Sequence, residues 1–169
     1  YLLPLNVWRQ TSPWLLMLAF ALLVLVLVPG VGRVVNGSQR WIPLAGFTLQ
    51  PSEFAKFALV LWLSGYMVRH GEELRTVLRG LLKPILVLIL FALLLLSEPD
   101  FGATVIILGT AFGMLFMGGA RLIYVLGLVV SAVAIMAGMI LMAPYRMQRL
   151  MAYQDPWSDP FGSGFQLIQ

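Results

Sequence analysis

Long apolar runs, each bounded or broken by only a few charged side chains, constrain this chain more than any other feature. They lie near residues 13–29, 53–68, 84–97, 101–118 and 122–143. Crossing the hydrocarbon layer of a bilayer takes about 20 helical residues. The runs approach that length, although the second and third are short enough to suit a tilted or partly interfacial helix. Hydrophobic residues make up 60% of the 169-residue chain and charged residues 11%. An ordinary soluble domain carries about 25% charged residues, because its outer face must be wetted. The sequence therefore predicts an all-α integral membrane protein, a polytopic helical bundle with about five transmembrane spans.

The net charge is +4. The basic residues sit in short connections between apolar runs, where lipid headgroups and membrane topology account for them. Nucleic acid is accordingly not an expected partner; membrane lipids are. With no cysteine, neither a disulfide framework nor a cysteine metal site can form. The loop 69–83 holds Arg69, Arg75, Arg79 and Lys83 with Glu72 and Glu73, and this density of basic residues places it in the cytoplasm. The segments 30–51 and 144–169 then become outer loops, and 97–100 an outer turn. No charged leader and cleavage site precede the first apolar run. The chain starts at Tyr1 and stops at Gln169 in mid-pattern, so it reads as a single transmembrane segment, 1–169, of a larger domain. Gly109 and Gly113, Gly127 and Ser131, and Ala134 and Gly138 are spaced for close packing of helices through small residues.

Candidate functional residues gather in the outward segments. Pro51-Ser52-Glu53 opens the second span with a proline suited to a helix start and an acid that complements the helix dipole. Glu53 and Lys56 are three residues apart and share a face. Two readings fit them: a capped helix whose lysine snorkels to the interface, or a polar cavity inside the bundle. Asp100 follows Pro99 at the start of the fourth span, either as an N-terminal cap or as a functional acid at the rim. Arg40-Trp41 combines a side chain suited to forked phosphate contacts with an interface-marking aromatic. Arg146 and Arg149 precede a turn-rich stretch, DPWSDPFGSGFQ at 155–166, and could meet an anionic headgroup or pyrophosphate. His70, alone in the charged loop, reads as a solvated surface residue. No Walker A loop, GxSxG elbow or zinc spacing is present.

The strings NGSQRWIPL at 36–44, QPSEFAKFAL at 50–59, RGLLKP at 79–84, EPDFGAT at 98–104 and DPWSDPFGSGFQ at 155–166, in this order, resemble the SEDS family (shape, elongation, division and sporulation). The resemblance covers essentially the whole chain. Trp157, Phe161 and Ser163 look more like the family's division member than its elongation member. It implies a peptidoglycan glycosyltransferase that polymerises lipid II during septal cell-wall synthesis. Such a protein works in the bacterial cytoplasmic membrane at the division septum, with a class B penicillin-binding protein and other division proteins. It also implies that Glu53 and Lys56 line a cavity, that Arg40 and Trp41 belong to the substrate-facing surface, and that Asp100 is a functional rim residue. The family's general-base aspartate belongs to a PExHTDFIF-type motif beyond Gln169, so the catalytic residue of this chain is unknown.

In that chemistry a sugar hydroxyl attacks an anomeric carbon whose leaving group is a lipid pyrophosphate. A carboxylate takes the hydroxyl proton, and cations offset charge on the pyrophosphate. Arg40, Lys56, Arg146 and Arg149 are the available cations. No cofactor is evident, and a divalent cation is compatible with the chemistry. Two other functions fit the same charges: a lipid II flippase or transporter, and a non-catalytic division scaffold.

Overall fold

The computed structural model describes residues 4–35, 38–44, 47–76 and 78–142. The elements run α1 (Leu5–Leu27), β1 (Arg33–Val35), β2 (Ser38–Leu44), β3 (Phe47–Leu49), α2 (Pro51–Thr76), α3 (Arg79–Ser97), α4 (Phe101–Met117) and α5 (Leu122–Leu141). The chain divides into two compact units, Tyr1–Val125 and Leu126–Gln169. In the second, the described part is the continuation of α5, where the Ser131 hydroxyl donates to the Gly127 carbonyl oxygen at 2.7 Å. Among the described residues, α1, α3 and α5 are long and apolar enough to cross a membrane, and α4 is a shorter apolar helix. In α2, Glu53 and Lys56 near the start and a charged final third dilute the apolar run.

Prolines inside α1 and α3 need compensation, because each removes an N–H from the helix ladder and strands the carbonyl four residues earlier. In α1, Pro13 leaves the Arg9 carbonyl oxygen without its intrahelical donor, and the fully buried Ser12 hydroxyl donates to it at 3.2 Å. In α3, Pro84 strands the Gly80 carbonyl oxygen, and the Tyr66 hydroxyl donates to it from α2 at 2.8 Å. At Gly80 the two helices come so close that an added Cβ would lie 2.6 Å from the Glu73 carbonyl carbon.

The charged stretch read as the loop 69–83 is largely helical. α2 runs on to Thr76 and α3 begins at Arg79. Its Glu, Leu and Arg residues are good helix formers whose charge bars them from hydrocarbon without barring them from a helix. His70 marks the break, with φ −125° and ψ 26°. It is half-buried and stacks on Tyr66 at 4.4 Å, and Tyr66 stacks on Trp62 at 5.5 Å, so it is no free surface histidine. At the same end α4 closes with Gly119 at φ +92°, a left-handed conformation that glycine adopts without steric cost. The Ala120 amide bonds the Leu115 carbonyl and the Gly119 amide that of Phe116, satisfying the last turn. Arg121 then donates to the Arg75 carbonyl oxygen, tying this turn to α2.

The segment 30–51, read as an outer loop, carries a small three-stranded antiparallel sheet in the order β1-β2-β3. Arg33 pairs with Trp41, and Ile42 with Leu49. Gln39 donates to the Val28 carbonyl oxygen, holding the sheet over the C-terminal end of α1. The core of the first unit is built on apolar side chains: Leu23, Leu59, Leu63, Phe91, Leu95, Ile107 and Leu115 are all at most 2% exposed. α4 faces this core through Ala103, Ile107, Ala111 and Leu115, a stripe of helical period. An added Cβ at Gly109 or Gly113 would meet nothing within 4 Å, so these two glycines make no close helix contact among the described residues.

Candidate functional site

The sheet, the end of α3 and the starts of α2 and α4 meet at one end of the first unit. There Arg40 on β2 grips the α3–α4 turn. Its Nε donates to the Glu98 carbonyl oxygen at 3.2 Å, Nη2 donates to the Pro99 carbonyl oxygen, and Nη1 lies 3.7 Å from Asp100 Oδ1. The forked guanidinium suits this three-point grip, because each of its nitrogens presents a donor in a fixed direction. The Arg40 side chain keeps 23% of its surface exposed, enough for an outer ligand to reach it.

Asp100 is the N-terminal cap of α4 and also faces Arg40. Its Oδ1 accepts the Ala103 amide at 3.2 Å and so caps α4, and the same oxygen faces Arg40. Thr104 locks the turn further by donating its hydroxyl to the Asp100 carbonyl oxygen at 2.8 Å. Trp41 follows Arg40 in the strand, so its side chain projects from the opposite face of the sheet. It is half-buried, while Ile42, on the Arg40 face, is buried.

Glu53 and Lys56 form a second ion pair on α2, with Nζ and Oε1 2.7 Å apart. The lysine is 24% exposed and the glutamate 61%. The shared face inferred from their spacing is thus realised as a direct contact, and α2 begins at Pro51. Arg146 and Arg149 lie outside the described residues, as does the stretch 155–166. Among the described residues no group of three or more His, Asp or Glu side chains is arranged to hold a metal ion.

One residue escapes a reading by sequence. Glu98, in an apparent surface turn, is 1% exposed, and neither carboxyl oxygen has a hydrogen-bond partner among the described residues. Burial, and then the neighbouring Asp100 charge, push its carboxyl up to about 8, against a smaller opposing effect of Arg40. Ser52, in the first turn of α2, is also fully buried, and its hydroxyl has no partner among the described residues. A Glu-Pro-Asp turn ordinarily signals solvent, whereas here Arg40 of β2 reaches across to it.

The family model for the FtsW, RodA and SpoVE cell cycle proteins matches residues 1–169. A probable peptidoglycan glycosyltransferase FtsW of Pseudomonas fluorescens is 49% identical over 169 residues, covering 99% of this chain and 41% of the relative. That of Saccharophagus degradans is 50% identical over 166 residues, covering 98% and 43%. The chain thus spans about two fifths of the length of these relatives. Among solved structures, a chain from a peptidoglycan synthase complex that coordinates polymerization and crosslinking superposes with a TM-score of 0.77 at 29% identity, covering 99% of this chain and 49% of that one. The rod shape determining protein RodA of Thermus thermophilus superposes with a TM-score of 0.61 at 32% identity, covering 75% and 41%. With its whole length matched, this chain belongs to the FtsW/RodA/SpoVE family of cell cycle proteins, the family its motifs resemble.

Proposed function

We propose that this chain is part of a peptidoglycan glycosyltransferase that polymerises lipid II during septal wall synthesis. One observation carries the reading: an apolar bundle holds Arg40, Asp100 and Glu98 together at its sheet end, with the Glu53–Lys56 pair at the start of the adjacent α2. Charged groups cost much free energy beside a bilayer, and their retention there marks a functional site. Similarity to glycosyltransferases over the whole chain supports the same reading.

In this reading the sheet end faces outward and the end carrying Arg75, Arg79 and Arg121 faces the cytoplasm. The protein sits in the bacterial cytoplasmic membrane at the septum, beside a class B penicillin-binding protein. Lys56 and Arg40 present positive charge toward the lipid pyrophosphate, offsetting the charge that develops as it departs. Glu53 holds the Lys56 ammonium in place. The carboxylate that takes the hydroxyl proton is none of these residues. The test is lipid II polymerisation by the full-length protein carrying Lys56→Ala or Glu53→Ala. A loss of rate without loss of folded protein supports the cavity roles, and wild-type rates in both variants overturn them.

A further inference from the structure

At the α3–α4 turn, two buried carboxyl groups lie beside a single guanidinium, which pairs with only one of them. Asp100 takes the charge of Arg40 on Oδ1, while its Oδ2 has no partner among the described residues. Glu98 is touched by Arg40 only through its backbone carbonyl, and both its carboxyl oxygens are unpartnered. If both acids were ionised, the cluster would hold one uncompensated negative charge where water does not reach, a strongly disfavoured state.

We propose that Glu98 is a positioning residue for Arg40 and works by holding a proton in the resting protein. While Glu98 is neutral, Asp100 is the one anion facing the guanidinium. Arg40 then stays spread across Glu98 O, Pro99 O and Asp100 Oδ1, with part of its surface open. When the Glu98 proton passes to solvent, its carboxylate competes with Asp100 for the same guanidinium and draws Arg40 inward, off the rim.

The other charged groups nearby do not disturb this balance. At the start of α2, Ser52 is uncharged and Glu53 is exposed and paired with Lys56, and Arg33 on β1 is exposed. The last turns of α1 and α3 carry no charged side chain. Burial and the Asp100 charge push the Glu98 carboxyl up to about 8, in the direction the geometry requires. The inference concerns the geometry of Arg40 and holds whichever reaction the site performs.

Two measurements on the full-length protein in lipid nanodiscs test it without measuring turnover. Infrared difference spectra across a pH titration should show a protonated carboxyl band that vanishes with a midpoint near pH 8 and is absent from Glu98→Gln. Modification by phenylglyoxal, read by mass spectrometry as the ratio of Arg40 to the exposed Arg33, should fall several-fold through the same midpoint in the wild type. The ratio should stay level in Glu98→Gln. If that variant does not fold, the two wild-type titrations decide alone. The absence of a titrating band in the wild type overturns the proposal. A titrating band with an unchanged Arg40 ratio overturns it too, because Glu98 would then hold a proton without positioning Arg40.

Discussion

The Tyr66 hydroxyl donates across 2.8 Å to the Gly80 carbonyl oxygen, the acceptor that Pro84 leaves without its helical donor. A helix break inside α3 is thus repaired from α2. The repair fixes where the two helices meet and, with it, the far end of the α3–α4 hairpin that carries the site.

Tyr66→Phe removes that donor and keeps the ring stacked between Trp62 and His70. Leaving a buried carbonyl unpaired costs about 1–3 kcal/mol. Equilibrium unfolding in detergent micelles should show a loss of this size, and unchanged stability would mean the carbonyl finds another partner.

Gly80→Ala and Gly109→Ala should have opposite effects. An alanine at Gly80 meets the Glu73 backbone on α2 at 2.6 Å, and such overpacking costs about 1–3 kcal/mol. At Gly109 the same change meets open space and gains helix propensity of about 1 kcal/mol. Paired thermal melts of the two variants check this contrast.

Asp100→Ala loses the α4 cap and the Arg40 partner together, at a cost of about 0.5–2 kcal/mol for the cap alone. Asp100→Asn keeps an oxygen for the Ala103 amide and loses only the charge. A double-mutant cycle with Arg40→Gln should therefore show coupling with Asp100→Asn, and strictly additive effects would dissolve the ion pair.

Stability should fall as pH rises from about 4.5 to about 8. Glu98 has its folded value raised above its ordinary one, so its contribution is complete below the ordinary value and is lost as pH rises through the folded one. Across this window the folded protein holds a proton that the unfolded chain has released. Each pH unit costs at most about 1.4 kcal/mol for one such proton. Glu98→Gln should flatten this slope in a pH series of denaturation midpoints.

Much of this arrangement is legible in the amino-acid sequence. The Glu53–Lys56 contact follows from their spacing, the start of α2 from Pro51, and the start of α4 from Asp100. The sheet was hidden because 30–51 reads as glycine-rich and polar; Asn36-Gly37, standing between β1 and β2, was the available hairpin signal. The three-point grip of Arg40 and the burial of Glu98 join residues more than fifty positions apart, and no local pattern encodes that distance. Small-residue spacing pointed to Gly109 and Gly113, whereas the close approach falls at Gly80, where neither neighbouring residue is small.

Purified full-length protein in proteoliposomes, supplied with lipid II alone and then together with a class B penicillin-binding protein, offers the decisive measurement. Glycan strands resolved by gel electrophoresis should appear with wild-type protein and be strongly reduced by Lys56→Ala in protein that remains folded. Transfer of lipid II across the bilayer without any strand, or full polymerisation by Lys56→Ala, would contradict a polymerase site built on these residues.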